Sequence, residues 1–367
     1  MIVKKIKIQN FRNFKSLEIE PCDGVNIISG SNAQGKTNLI EAIWLLTGNR
    51  SFRGCKDNDL ICFSDTCYQI SAEFESEQRE KALEILYAGR KTVRLNAVSK
   101  RSLSEILGQF CAVVFSPDHL ELVKDGPDAR RKFLDIGLVQ IKPGYAHLLS
   151  CFNKILAQRN ALLKNLYLSK GDPDTLEIWD LKLSEAAATV HALRGKYANY
   201  LGDLAQQHYK GISGDGETLC VCYQSTVWDE KSELDYREQY LTVLVNSRKA
   251  DIQSGFTTKG PHRDDLELKL DQNDARSFGS QGQQRSIVLA LKLAECDAIA
   301  AAAGEQPVLL LDDVLSELDE QRQSFILNHL EDRQVFITCC DNSAVLRLLE
   351  GKVFPIEKGC LCTQQEA

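Results

Sequence analysis

The sequence predicts an α/β fold built around a phosphate-binding loop, and three observations carry that reading. Gly30-Ser31-Asn32-Ala33-Gln34-Gly35-Lys36-Thr37 satisfies G-x-x-x-x-G-K-[ST] at every specified position. The apolar run Val25-Asn26-Ile27-Ile28 precedes it as a buried strand, and Leu39, Ile40, Ile43, Trp44 and Leu46 follow at helical spacing. Far downstream, Val308-Leu309-Leu310-Leu311 reads as a second buried strand that ends in two carboxylates, Asp312 and Asp313. Loop amides and a helix N-terminus suit phosphates. Lys36 is placed to reach the β- and γ-phosphates of ATP, and Thr37 to ligate Mg²⁺. Adjacent acids at a strand end are costly without a cation. Asp312 is therefore expected to hold Mg²⁺ and Asp313 to orient or deprotonate the attacking water.

In chain order, Ile2, Ile6 and Ile8, then Leu17 and Ile19, alternate with polar neighbours and predict two strands around Asn10-Phe11-Arg12-Asn13-Phe14. Arg12 reads either as a surface residue or as a second cation on the nucleotide phosphates, a role its planar fork suits. Residues 68–98 hold three short β-like runs separated by turns, an antiparallel patch after the P-loop helix. Cys111-Ala112-Val113-Val114-Phe115 is a further buried strand, ended by Ser116-Pro117-Asp118.

From about residue 118 to 250 the pattern turns helical. Leu148 to Leu166 form one amphipathic face, a second long helix covers roughly Leu176 to Tyr209, and Ser169-Lys170-Gly171-Asp172-Pro173-Asp174 turns between them. The expected domains are a head from 1–117 and 251–367 with an inserted helical domain at 118–250. The hairpin is too short and its heptads too broken for a long coiled coil. Residues 251–276 return to β character after the turn-like Gly260-Pro261-His262-Arg263-Asp264-Asp265. Phe278-Gly279-Ser280-Gln281-Gly282-Gln283 opens a helix whose hydroxyl and free amides suit an anion. Gln334 to Thr338 is one more strand.

Composition is that of a globular chain, at 43% hydrophobic and 26% charged residues over 367 positions, enough for about two domains. No apolar run reaches membrane-spanning length and the N-terminus lacks a signal-peptide core. The 13 cysteines form no C-x-x-C pair. They read as small core residues in a reducing cytoplasm, not as a zinc site. The net charge of −7 argues against a dedicated nucleic-acid binder. Local clusters nevertheless leave a DNA-facing side open: Lys4/Lys5/Lys7, Arg50/Arg53/Lys56, Lys91/Arg94, Lys100/Arg101 and Arg130/Arg131/Lys132.

A P-loop near the start, a Ser/Gly/Gln signature, a double-acid strand and Ser316-Glu317-Leu318-Asp319 near the end resemble the ABC-type ATPase heads of the SMC family. With so short an arm, Asn10-Phe11-Arg12-Asn13-Phe14, Phe115-Ser116-Pro117-Asp118, Gly260 to Asp265 and Leu311 to Asp319 look RecF-like over essentially the whole chain. The resemblance implies an ABC-type head with an N-terminal β-rich lobe. It implies binding of ATP and of double-stranded, gapped and single-stranded DNA, slow hydrolysis, and an ATP-dependent homodimer. In that dimer Ser280, Gly282 and Gln283 meet the partner's nucleotide in trans, with Asp319 along the seam. Action with RecO and RecR to load a recombinase at gaps, fork recovery and SOS support are implied likewise. Asp313 stands where ABC transporters usually carry Glu, Thr338 stands where the family switch residue is expected, and Gln109 is the candidate Q-loop residue. The competing readings are a transport ATPase subunit, which the helical insertion disfavours, and a chromosome-organising head, which the short arm disfavours.

Overall fold

The computed structural model describes residues 1–168, 172–214, 216–330, 332–340 and 351–362. The chain opens with strands β1 (Ile2–Phe11) and β2 (Phe14–Ile19), joined at Arg12 and Asn13. Strand β3 (Val25–Ser29) then feeds the P-loop and helix α1 (Lys36–Leu45). Strands β4 (Tyr68–Ser76), β5 (Arg79–Tyr87), β6 (Lys91–Leu95) and β7 (Val98–Lys100) extend the first pair into a six-stranded antiparallel sheet of order β2-β1-β4-β5-β6-β7. Its inward positions alternate, as a half-buried sheet requires: Tyr68, Ile70, Ala72 and Phe74 of β4 are all buried.

Strand β8 (Ala112–Phe115) leads into the helices α2 (Glu121–Lys124), α3 (Pro127–Ile141), α4 (Gly144–Tyr167) and α5 (Leu176–Ser213). The turn expected between α4 and α5 lies outside the described residues at 169–171; from Asp172 onward it is a short 3₁₀ turn that Asp172 caps. The helical expectation for 118–250 needs two corrections. Leu219–Gln224 is a strand, β9, and helix α6 (Tyr236–Ser254) runs past residue 250. After it come β10 (Asp265–Leu270), the two-residue β11 (Asn273–Asp274), α7 (Ala275–Phe278) and α8 (Gln281–Ala303). Strand β9 pairs residue for residue with β10, from Leu219 opposite Leu270 to Gln224 opposite Asp265.

Strand β12 (Val308–Leu311), helix α9 (Glu320–Asn328), strand β13 (Val335–Cys339) and the closing hairpin β14 (Lys352–Glu357) and β15 (Cys360–Leu361) complete the chain. The hairpin carries no alternation strong enough to have been read in the sequence. A second sheet runs β15-β14-β3-β13-β12-β8, parallel from β14 to β8. It is the middle layer. Val113, Phe115, Leu309, Leu311, Val335 and Ile337 face the helices, whereas Ala112, Val114, Val308, Leu310 and Phe336 face α1 and the antiparallel sheet. Both faces are covered, so these strands read as continuous apolar runs.

The cysteines divide. Cys62, Cys111, Cys296 and Cys339 are core residues as expected, but Cys220, Cys360 and Cys362 are exposed. No described helix is long and apolar enough to cross a membrane.

Candidate nucleotide site

Parallel strands deliver the loops that follow them to one edge of a sheet, where ligands of open α/β sheets bind. Here β3 delivers the P-loop and β12 delivers the two acids, with β13 between them. Gly30 has φ 149°, and a Cβ on it would stand 2.3 Å from the Ile356 carbonyl oxygen of β14. The strand that sequence reasoning missed is thus the wall that makes glycine necessary at the start of the loop. Gly35, at φ 116°, is pressed in the same way by the Asn13 side chain. Ala33 holds a left-handed φ of 64°, uncommon for a residue with a Cβ.

Asn13 braces the loop from the β1–β2 turn. Its amide donates to the Gln34 carbonyl at 2.8 Å, and its Oδ1 accepts from Asn38 at 2.8 Å. From the other side, the Lys358 and Gly359 amides donate to Gln34, at 2.6 Å to Oε1 and 3.1 Å to the carbonyl. Lys36 is buried, with Nζ donating to the carbonyls of Gly30 at 2.5 Å and Ser31 at 3.0 Å. The Cys340 thiol donates to Asn32 Oδ1 at 3.3 Å.

The two motifs touch. Thr37 Oγ1 donates to Asp312 Oδ1 at 2.9 Å across 275 positions of sequence. Thr338 Oγ1 donates to the same oxygen at 3.1 Å and accepts the Asp313 amide at 2.8 Å. Burial pushes the Asp312 carboxyl above the usual carboxylate range and Asp313 adds to the rise, while the Thr37 and Thr338 hydroxyls pull the other way. A hydroxyl and a buried carboxylate converging on one point form an all-oxygen donor set that fits a hard divalent cation. Asp313 is exposed, in a left-handed conformation at φ 53°, and its Oδ1 accepts from Ser316 Oγ at 2.9 Å.

Other expected residues lie elsewhere. Arg12 makes a two-pronged bond to the buried Glu41 of α1, at 2.9 and 3.0 Å, and a third to the Asp59 carbonyl. Its guanidinium is held on a carboxylate beside the loop. Gln109 precedes β8 and so lies at the sheet edge opposite the P-loop, where it accepts from Lys81; Ser116 and Pro117 occupy the nucleotide edge of that strand instead. Ser280 caps α8: its Oγ accepts the Gln283 amide at 3.2 Å, and Gln283 Oε1 accepts the Ser280 amide at 2.7 Å. Among the described residues no hydrogen bond joins Ser280, Gly282 or Gln283 to the P-loop. Asp319 caps α9 and pairs with Arg322, whose Nε donates to Ser286 of α8 at 2.9 Å. A Cβ on Gly282 would lie 3.3 Å from the same guanidinium.

The basic clusters are largely spent on internal pairs. Lys4, Lys5 and Lys7 meet Asp23, Glu18 and Glu20; Lys91 meets Asp57, and Arg94 meets Glu84. Arg130 is buried against Asp265 at 2.7 and 2.9 Å, and Arg131 donates to the Asp264 carbonyl at 2.6 Å. Only Lys132 of that cluster is exposed, so the trio is a brace between α3 and β10 and not a ready phosphate-binding stripe.

A P-loop and a strand-end acid pair on one edge of a mixed sheet, with a capped Ser/Gly/Gln helix start and an Asp loop, define an ABC-type ATPase head. The family described as "RecF/RecN/SMC N terminal domain" matches residues 2–350. The chain is 38% identical over 345 residues to a protein of Acetivibrio thermocellus named DNA replication and repair protein RecF, covering 93% of this chain and 94% of that one. It is 39% identical over 358 residues to the protein of the same name from Ruminiclostridium cellulolyticum, covering 96% of each. A solved structure described as the recombination mediator protein RecF–ATP in the RecFOR pathway superposes with a TM-score of 0.91 at 38% identity, over 98% of this chain and 97% of that one. An SMC head domain from Pyrococcus furiosus, at a TM-score of 0.55 and 15% identity over 98% of this chain and 95% of that one, shares the fold. The chain belongs to the RecF family.

Proposed function

We propose that this chain is an ATP-switched, DNA-binding protein of recombinational repair and replication-fork recovery. It resides in the cytoplasm and acts with RecR and RecO at gapped DNA, in support of recombinase loading and the SOS response. The observation that carries the reading is the Thr37–Asp312 contact, which joins the phosphate loop to the acid strand in one site. Relatives named for DNA replication and repair, and a relative solved with ATP, support it. In this reading residues 1–117 and 251–367 act as the head and 118–250 as its arm. The arm is short: α4 and α5 have 24 and 38 residues, or about 36 and 57 Å. That length suits a clamp better than a chromosome bridge.

The geometry supports a division of labour. Residues 30–37 cradle the phosphates, with Lys36 as the loop's cation and Arg12 as an auxiliary one held in reserve on Glu41. Thr37 and Asp312 would hold Mg²⁺, which when bound neutralises charge on the β- and γ-phosphate oxygens. Asp313 orients the attacking water from a carboxylate one methylene shorter than Glu, so hydrolysis is slow and serves as a timer. Asp313→Asn should leave nucleotide affinity nearly unchanged and lower kcat by about 10²-fold or more, whereas Asp312→Asn should raise the Mg²⁺ concentration needed for binding. Identical behaviour of the two variants in a magnesium titration would contradict this assignment.

The signature residues belong to the dimer. Ser280, Gly282 and Gln283 close on the γ-phosphate held by a second copy, and Asp319 lies along the seam. ATP, not ADP, should therefore raise the mass seen by light scattering to that of a dimer. Ser280→Arg should keep nucleotide binding and lose that increase. Equal mass with ATP, ADP and no nucleotide would overturn the switch.

A further inference from the structure

The Gly260–Asp265 motif takes no part in the nucleotide site, yet the fold holds five of its six residues from within. Gly260 has φ 122°, and a Cβ on it would lie 2.1 Å from the Tyr240 hydroxyl. The Pro261 carbonyl accepts from Arg194 at 2.7 Å, and His262 Nε2 meets the Thr257 carbonyl at 2.9 Å. Asp264, fully buried, accepts from the Thr226 amide at 2.7 Å and the Tyr223 hydroxyl at 2.9 Å, and Asp265 pairs with Arg130. Arg263 alone is exposed. Its guanidinium lies 5.0 Å from the centroid of the Phe256 ring.

Phe256 is put there by the end of α6. Gly255 adopts a left-handed φ of 71°, its amide donates to Ile252, and the Phe256 amide reaches back to Asp251 at 3.2 Å. That Schellman turn leaves the ring 40% exposed. Lys164 of α4 runs its stem past Gly255, and Lys259 is exposed on the same loop. The charge is segregated. Asp251 is fully buried on Arg159, and Asp264 and Asp265 are committed as above, whereas no carboxylate among the described residues pairs with Lys164, Lys259 or Arg263. The loop turns its acids inward and its bases outward.

We propose that Phe256 and Arg263, flanked by Lys164 and Lys259, are a contact site for an unpaired nucleic-acid strand. A base stacks on the Arg263–Phe256 pair and the three cations take the adjoining phosphates. Stacking needs an exposed base face, which a duplex hides, and cations left unpaired beside acids that are committed inward favour a polyanion. The proposal rests on the DNA-binding reading above and assigns it a surface that the basic clusters of the sequence did not.

Anisotropy of a labelled oligothymidine, and of a labelled duplex of equal length, tests it on the full chain at several salt concentrations. Phe256→Ala should weaken oligothymidine binding about five-fold or more and duplex binding less than two-fold. Lys259→Ala with Arg263→Ala should flatten the salt dependence of oligothymidine binding by about 0.7 in log–log slope for each phosphate no longer neutralised. The three side chains are solvent-facing, so thermal midpoints should stay at the wild-type value. Phe63→Ala, at the 93% exposed aromatic of another loop, is the control and should change nothing. Wild-type affinity and slope in all the variants would overturn the proposal, and is the result expected if the loop instead receives an acidic protein. A loss confined to the duplex would overturn it too. A wild-type chain that binds neither probe would bring down the DNA-binding reading itself.

Discussion

Lys36→Ala should remove measurable ATP binding while leaving the fold intact. Lys36 is the P-loop's own cation, buried at the centre of the loop with Nζ on the carbonyls of Gly30 and Ser31. With nucleotide bound, its removal would delete charge-assisted bonds to phosphate oxygens, at about 1.5–3 kcal/mol for each, which is roughly 10- to 100-fold in Kd per bond. The lysine is not the loop's sole tie. Asn13, Lys358 and Gly359 hold Gln34 from both sides, and Gly30 is fixed against β14. Lys36→Arg keeps the charge but puts a longer, planar group where a compact ammonium fits, so weak binding without turnover is expected. Calorimetry with ATP and Mg²⁺ decides the matter: wild-type affinity in Lys36→Ala would remove the nucleotide site from this loop.

The second large effect is on stability. Arg159, Asp180 and Asp251 are all fully buried. Arg159 donates to Asp180 at 2.7 Å, to Asp251 at 2.7 Å and to Thr257 at 2.8 Å, and Arg248 holds the other oxygen of Asp180. The cluster ties α4, α5 and α6 to the loop that carries Phe256. Arg159→Leu fills much of the space but leaves Asp251 buried without a cation and Asp180 with Arg248 alone. A cost of about 3–5 kcal/mol is expected, seen as a fall in the urea midpoint. The penalty should shrink when Asp251→Asn is added, because one stranded charge is removed. Additive losses in that double-mutant cycle would show that the arginine acts through packing alone.

The parts of this molecule that could be read in advance are those whose cause is local. A strand, a glycine-rich turn and a helix start lie within about twenty residues, and Ser280 and Gln283 cap one helix from three positions apart. Asp312 and Asp313 were legible because an apolar run rarely ends in two acids. What escaped depends on contacts distant in sequence. Arg12 looked free until the fold brought it Glu41, and the Arg130 trio looked like a phosphate stripe until β10 brought it Asp265. Strand β9 was hidden because Leu219 and Val221 are its only buried residues, too few for a period, and it exists as a strand because β10 gives it a partner. Thr338 stands where the family switch residue is expected, but its bonds could not be read from the sequence: it links Asp312 to Asp313 through one hydroxyl.

The position of β3 between β13 and β14 has a consequence for how the protein is made. Strand β3 has no sheet neighbours except those two. A growing chain that has not yet reached residue 335 therefore contains every residue of the P-loop but neither strand that flanks β3. Val25–Ser29 then waits on the ribosome as an unpaired apolar edge through some three hundred further additions. At about 5–20 residues per second that delay is tens of seconds, long compared with local folding events. The antiparallel sheet, closed within the first hundred residues, has all its strand partners much sooner. Translation thus separates a lobe that is able to form early from a P-loop edge that is assembled last, and premature termination yields a chain with an intact motif and no assembled site.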